Sequence, residues 1–446
     1  MASEFTHELE VWLFDRRVGR LSLVHGRLSF TYAPEWLALP QARALSYSLP
    51  LQAPPFDDHQ TRPFFAGLLP EGQMRRLIAQ QFQVSGQNDF ALLEHIGGEC
   101  AGAVTFLEPG QALPQTDTSD PVNATLATNA TAVAGNVQWL SDEQLVAVLD
   151  ELPRRPMLAG ADGLRLSLAG AQDKLPVVLD DSVPGQPRLG LPLHGAPSSH
   201  ILKPAIHAVH DSVANEGFCM LLAQVMGLRP AQARMHTVRG RSFLLVERYD
   251  RVRDAADPAG QRQRLHQEDF CQALGVVPEL KYQNEGGPSL AQCFALLRSV
   301  TRPSAPQVLR LLDGVIFNAL IGNHDAHGKN FSLLYGARGA VLAPFYDLLS
   351  TAVYPTLTPK MAMKLGSKYK FSELEPRHWE QFAAEAGLAK AATRKRLQAL
   401  ATELPLAAHQ LQAAPQHGLA GSAVVEQIIE LIEQRCALTL RRIAAA

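Results

Sequence analysis

Ten residues constrain this chain more than any others: Gly322-Asn-His-Asp-Ala-His-Gly-Lys-Asn-Phe331. They follow the apolar run Val315–Leu320 and lead into the strand-like Phe331–Leu334. Two histidines, an aspartate, a lysine and two asparagines in such a place are costly to desolvate, and a purely structural loop rarely needs them. The pattern points to a chemical site. In phosphoryl transfer an aspartate orients and deprotonates the acceptor hydroxyl, and an asparagine a few residues on holds magnesium. Asp325 and Asn330 have that spacing on one loop, so both can face a single point.

Four further clusters fit the same chemistry, each with a plainer alternative. Asp347, in Pro344-Phe-Tyr-Asp-Leu, lies 17 residues after Asn330 beyond a hairpin and can complete a magnesium site with it. Alone, an aspartate there reads as a helix N-cap. Lys203 ends the apolar strand His200-Ile-Leu-Lys-Pro, where it can sit under nucleotide phosphates or simply mark a strand edge; Glu216, thirteen positions on, is a candidate partner. Ser167-Leu-Ala-Gly-Ala-Gln-Asp-Lys174 has small residues at Ala169, Gly170 and Ala171 that let backbone N–H groups approach phosphates, though by itself it reads as a tight hairpin. Val246-Glu-Arg-Tyr-Asp-Arg251 leaves a strand toward the helical region; it can offer backbone groups to an adenine edge and Asp250 to a ribose.

The rest of the chain sets the frame. Its 446 residues suggest two or three domains, and 46% hydrophobic against 19% charged residues is ample for a large core. No apolar run approaches the ~18 residues of a membrane span, and Met1–Phe14 is polar and acidic, unlike a signal peptide. These features, with five cysteines and no CxxC pair, lead us to expect a cytosolic protein without a cysteine-based zinc site. A net charge of −2 argues against binding to nucleic acid by bulk charge alone.

Alternation predicts strands within residues 8–32, and apolar spacing predicts a helix over Glu71–Phe82. Residues 109–134 lose periodicity and read as a linker; their Asn123 and Asn129 sequons are discounted. Beyond it we expect a helix at Ser141–Leu152, then strands at Arg165–Leu168, Leu175–Leu179, His200–Lys203 and Ser242–Arg248, with a helix at Ala214–Met226. From about residue 265 the pattern is mostly helical: Gln267–Leu274, Leu290–Leu297, Ala305–Ala319, Pro376–Ala386, Leu388–Leu404 and Val424–Ile443.

SLAGAQDK, HILKP, VERYDR, NHDAHGKNFS and FYDLLS stand in the order and spacing of the HipA family. ALSYSLPL and PFFAGLLPEGQMRRLIA resemble that family's N-terminal domain, so the likeness spans about residues 8–440 except the linker. The resemblance implies bacterial serine/threonine kinases of toxin–antitoxin systems. The implied fold is α+β and two-lobed, similar to phosphatidylinositol kinases: a small α+β N-terminal domain (1–108), the linker (109–134), a strand-rich nucleotide-binding lobe (135–262) and an all-α, helical catalytic lobe (263–446). It implies ATP and Mg2+, with Asp325 as catalytic base, Asn330 and Asp347 as metal ligands and Lys203 on phosphate. Ala169, Gly170, Ala171, Gln172, Asp173 and Lys174 would form the phosphate loop, and Glu247, Arg248 and Tyr249 the adenine connector. His327, Gly328, Lys329 and Tyr346 would lie beside the nucleotide, and Ser167 where family members phosphorylate themselves.

The implied partners are a HipB-like helix-turn-helix antitoxin, operator DNA through it, and a protein substrate such as an aminoacyl-tRNA synthetase. Arg394, Lys395 and Arg396 could touch DNA phosphates in such a complex, or form a solvated basic helix face. His324, where small residues are common in the family, departs locally. Two rival readings are a metal-dependent phosphohydrolase built on His324, Asp325, His327 and Asp347, and a catalytically idle co-repressor. Lipid kinase activity would rest on fold analogy alone.

Overall fold

The computed structural model describes residues 7–113, 136–183, 187–207, 209–253 and 262–445. Most of the expected linker, with both sequons, lies outside the described residues. The chain opens on an antiparallel four-stranded sheet in the order Arg27–Tyr32, Arg16–Val24, His7–Leu13, Val104–Leu107. Leu9, Val11 and Leu13 turn to one face, as period-2 alternation requires, and pack with Phe30, Phe56, Phe65 and Phe106. Helices Asp58–Gly67, Gly72–Gln81 and Asp89–Ile96 cover that face. The first starts at a capping box, in which the Gln60 N–H donates to Asp57 Oδ1 at 3.0 Å.

A six-stranded antiparallel sheet follows, ordered Val137–Trp139, Arg188–Pro192, Leu175–Asp180, His200–Pro204, Arg241–Glu247, Ala233–Val238. Helix Ser212–Val225 packs its buried face, including Phe218 and Leu222, against this sheet and the helical lobe beyond. That lobe is built from Leu290–Val300, Ala305–Ile321, Pro376–Glu385, Lys390–Ala413 and Ala423–Ala444 around Phe294, Phe317, Phe382 and Ile428. It is not all-α as expected: it carries the sheets His266–Asp269/Ser332–Gly336/Gly339–Leu342 and Lys360–Leu365/Lys368–Lys370, the first joined by a pairing beyond any local window. All five cysteines are buried and unpaired. Among the described residues no helix is long and apolar enough to cross a membrane.

Two expected elements differ. Residues 165–168 are extended but not a strand of the sheet: Leu166 bridges Glu99, and the Ser167 N–H donates to the Glu99 carbonyl at 3.0 Å. Their partner comes from the N-terminal domain, which local alternation cannot reveal. The helix expected over Gln267–Leu274 begins instead as strand His266–Asp269, paired with Ser332–Gly336, and only Phe270–Ala273 turns helical. Pairing with a strand some 65 residues later overrides the local helical spacing.

Candidate active site

Helix Ala305–Ile321 delivers the key loop and stops at Gly322, whose φ of +79° closes it. A side chain there would also put a Cβ 2.7 Å from the Ala352 Cβ, so glycine is required twice over. Asn323 then braces the loop: its Nδ2 donates to Asn318 Oδ1 (2.9 Å) and to the Asp347 carbonyl (3.3 Å), and its Oδ1 accepts from the Asp325 N–H (3.1 Å). The hairpin Ser332–Gly336/Gly339–Leu342 returns the chain, and Asp347 arrives with φ +53°. A non-glycine residue in that region is held by its surroundings at a cost, as functional sites often are.

Asp347 lies between Asn330, whose Nδ2 donates to its Oδ2 at 3.3 Å, and Lys203, which ion-pairs with its Oδ1. Lys203 also meets Glu216 at 2.6 Å, so the expected strand-to-helix pair is present. Burial pushes the Asp347 carboxyl up, but the ammoniums of Lys203 and Lys174 outweigh it and hold it below the usual carboxylate range. Burial also pushes the Lys203 ammonium down, and its two carboxylate partners more than reverse this. Asp325 stands at the solvent rim and accepts a 2.6 Å hydrogen bond from the Tyr282 hydroxyl. Its carboxyl is raised, chiefly by desolvation.

The segment Ala169–Lys174 roofs the same cleft. Gly170 (φ +107°) bridges Pro70, and its carbonyl accepts from the Glu71 N–H at 3.0 Å. The Lys174 ammonium folds back on the Ala169 carbonyl (2.7 Å). Ser167 is fully buried, its Oγ donating to the Leu68 carbonyl at 2.8 Å. Thus the loop is clasped by the N-terminal domain rather than forming a free hairpin.

Together these parts enclose a cleft of about 330 Å³ lined by Ala169, Gly170, Ala171, Gln172, Lys174, Lys203, Glu247, Arg248, Tyr249, Asp325, His327, Lys329, Asn330, Tyr346 and Asp347. Asp173 and Gly328 fall outside the lining; Gly328 is pressed on Cys271 and Pro288. Tyr249 and Tyr346 stack at 6.0 Å on one wall. The Arg248 side chain turns into a buried ion cluster with Glu99 and Asp250, leaving its backbone to the cleft. Asp250 also lines the cleft, with its carboxylate held by Arg248, Arg251, the Gly102 N–H and Gln267 Nε2 (3.3 Å).

Of the basic run on helix Lys390–Ala413, all three residues are exposed, but Arg396 also binds Asp313 (2.8 Å) and Arg394 the Ile443 carbonyl (2.6 Å). His324 faces Thr358 O (3.1 Å) and Arg435 (3.0 Å), which removes one ligand from the hydrolase reading. Sequence reasoning missed Glu71, Asp269, Lys281 and Tyr282. Glu71 and Lys281 pair at 2.7 Å across 210 residues, and Lys329 binds Asp269 at 2.8 Å. The one available signal was Glu71 in Pro70-Glu71-Gly72, a charge that closes the apolar run Pro63–Pro70.

A nucleotide with a divalent cation fits this cleft. Asp347 and Asn330 offer the hard oxygens magnesium takes, and two buried polar atoms beside them, Glu71 Oε1 and His327 Nδ1, have no hydrogen-bond partner. The class is now defined: a two-lobed, kinase-like α+β fold carrying an N-terminal domain over the interlobe cleft. The chain belongs to the HipA family, matching the HipA N-terminal domain over residues 9–107 and the HipA-like C-terminal domain over residues 166–408. It is 47% identical over 390 residues to "Putative kinase Y4mE" of Sinorhizobium fredii, covering 87% of this chain and 88% of that one. It is 28% identical over 421 residues to the "Serine/threonine-protein kinase toxin HipA" of Shewanella oneidensis, covering 91% and 90%. Among solved structures, the Shewanella oneidensis MR-1 complex of HipA, HipB and operator DNA matches with a TM-score of 0.78 at 25% identity, covering 98% of each chain.

Proposed function

We propose that the chain is an ATP-dependent serine/threonine protein kinase and the toxin of a toxin–antitoxin pair, acting in the cytoplasm. The observation that carries this reading is the convergence of Asp325, Asn330, Asp347 and Lys203 beneath one glycine-containing loop. In it Asp325 accepts the proton of the substrate hydroxyl, Lys203 and the 169–174 backbone hold phosphates, and Tyr249 and Tyr346 flank the base. Bound Mg2+, held by Asn330 and Asp347, would neutralise charge on the phosphates. The 1–108, 135–262 and 263–446 divisions follow as the domains that build this cleft. By kinship with the HipA–HipB–DNA assembly, the partner is a HipB-like helix-turn-helix antitoxin, with operator DNA reached through it; the family resemblance adds an aminoacyl-tRNA synthetase as the class of substrate.

Ser167 adds self-inactivation to this reading. Its hydroxyl lies buried against the Leu68 carbonyl, so it can receive phosphate only when the loop swings out. The phosphorylated form could no longer donate to that carbonyl and would set about two negative charges beside the phosphate site. The loop would stay out and ATP would lose its cradle. The test is label transfer from ATP by the wild-type chain and by Asp325→Asn. We expect transfer to fall by about 10²–10⁴-fold in the variant while ATP affinity changes little. Near-normal turnover in Asp325→Asn would refute the assignment of the base, and free phosphate without labelled protein would refute the kinase.

A further inference from the structure

Four lysines line the cleft: Lys174, Lys203, Lys281 and Lys329. Lys203 is committed to Glu216 and Asp347, Lys174 to the Ala169 carbonyl, and Lys329 to Asp269 and the Gly67 carbonyl (2.8 and 3.0 Å). Lys281 differs. Its hydrogen bond goes to Glu71 at 2.7 Å, and where the other three are buried it is only half-buried at the mouth of the cleft, with donors left beyond that bond. The next residue, Tyr282, holds Asp325 at 2.6 Å, which puts Lys281 beside the base.

Glu71, for its part, is bound through its N–H to the Gly170 carbonyl of the phosphate loop (3.0 Å). Lys281 is therefore strung between the loop that would cradle phosphates and the aspartate that would meet the acceptor hydroxyl. A phosphoryl group passing from one to the other must cross that gap. Glu71 holds the lysine only in part: its Oε1 is buried without a hydrogen-bond partner, and Lys329 stays 3.7 Å from it.

Resting on the kinase reading, the geometry points to Lys281 as a catalytic residue that contacts the transferring phosphoryl group, and to Glu71 of the N-terminal domain as the positioning residue that aims it. The N-terminal domain is then part of the active site. Lys281 moves from Glu71 toward the phosphoryl oxygens as negative charge gathers there, and no proton transfer is asked of it. Preorganised charge at this place acts in the transition state more than in the ground state.

The test uses the full chain, ATP as donor and the Asp325→Asn copy of the same chain as acceptor. Wild-type transfer is read first, because its absence overturns the kinase reading and this inference with it. Given transfer, Lys281→Ala should lower kcat about 100-fold while the KM for ATP moves less than about threefold, and Lys281→Arg should recover about tenfold. Glu71→Gln should lower kcat about tenfold in the wild-type background and have no further effect in Lys281→Ala, since it acts through that lysine. Thermal unfolding of each variant confirms that it is folded. A kcat for Lys281→Ala within about threefold of wild type, or a Glu71→Gln loss that is the same in both backgrounds, overturns the inference.

Discussion

Two carboxylates leave the N-terminal domain for the kinase lobes, and they meet opposite fates. Glu99 is fully enclosed by Arg248 (3.1 Å), Arg251 (2.9 Å) and Arg264, and also accepts from the Ser198 N–H and hydroxyl (3.1 and 3.0 Å). Burial alone would push its carboxyl up, but the three guanidiniums prevail and hold it at about 2. Glu71 has one lysine at hydrogen-bond distance, and its other oxygen has no hydrogen bond, only Lys329 at 3.7 Å. Both cross the same domain boundary. A saturated charge has no capacity left for a ligand, so Glu99 can only hold the lobes together. Glu71 has that capacity, and it borders the cleft.

The largest effect should come from breaking the saturated side. Glu99→Ala leaves the buried Arg264 without its carboxylate and Arg248 and Arg251 sharing Asp250 alone, and removal of one partner from a buried ion cluster costs about 3–5 kcal/mol. Denaturant unfolding should register that loss with little change in the unfolding slope. A loss under about 1 kcal/mol would mean that the cluster is no stronger than a surface pair, and the contrast with Glu71 would vanish.

Next in size is a break on the cleft side. Asp347→Ala leaves Lys203 still paired with Glu216, so the fold should change little in stability. Nucleotide affinity with magnesium should instead drop about 100-fold, which is about 2.7 kcal/mol. Chelating magnesium should bring the wild type down to the variant's level, measured by titration calorimetry. Equal affinities with magnesium present would remove Asp347 from the metal site.

This split also explains what could be read from sequence. Asp325, Asn330 and Asp347 lie close together in the chain, on a loop and a hairpin that follow a helix, and the local patterns there are strong, so their convergence was legible. Lys203 and Glu216 were legible for the same reason, as a strand end and the helix that follows it. Glu71 with Lys281, and Glu99 with Arg251 and Arg264, join segments more than 150 residues apart, and no local period encodes such meetings. Asp250 is a mixed case: its position after a strand pointed to the cleft, which it lines, but not to the two arginines, the backbone N–H and the Gln267 amide that hold its carboxylate. Strand His266–Asp269 was hidden likewise, since its pairing lies outside any local window.

A third carboxylate at the same boundary sharpens the comparison, because its hydrogen-bond donors among the described residues are all neutral. Glu268, on strand His266–Asp269, reaches from the catalytic lobe to Ser46 and Tyr47 of the N-terminal domain. Its donors are neutral: the hydroxyls of Ser46 and Tyr335 and the Tyr47 N–H at 2.9 Å. Burial therefore wins and pushes its carboxyl up to about 7, with the nearby Asp269 adding to the rise. His266 on the same strand is pushed down to about 4 by burial and does not charge above pH 5. The folded chain thus binds a proton at Glu268 that the unfolded chain, with an ordinary carboxyl near ~4.3, has already lost. Stability from this group is complete below the unfolded value and falls as pH rises through about 7. Between pH 5 and 7 the wild type should lose about 2 kcal/mol that Glu268→Gln does not, since each tenfold difference in proton affinity between folded and unfolded chain is worth ~1.4 kcal/mol. Paired unfolding curves at the two pH values measure this difference and cancel the titrations the two proteins share. Parallel pH profiles would mean that Glu268 is ionised in the fold, and that neutral donors alone can hold a buried charge at this boundary.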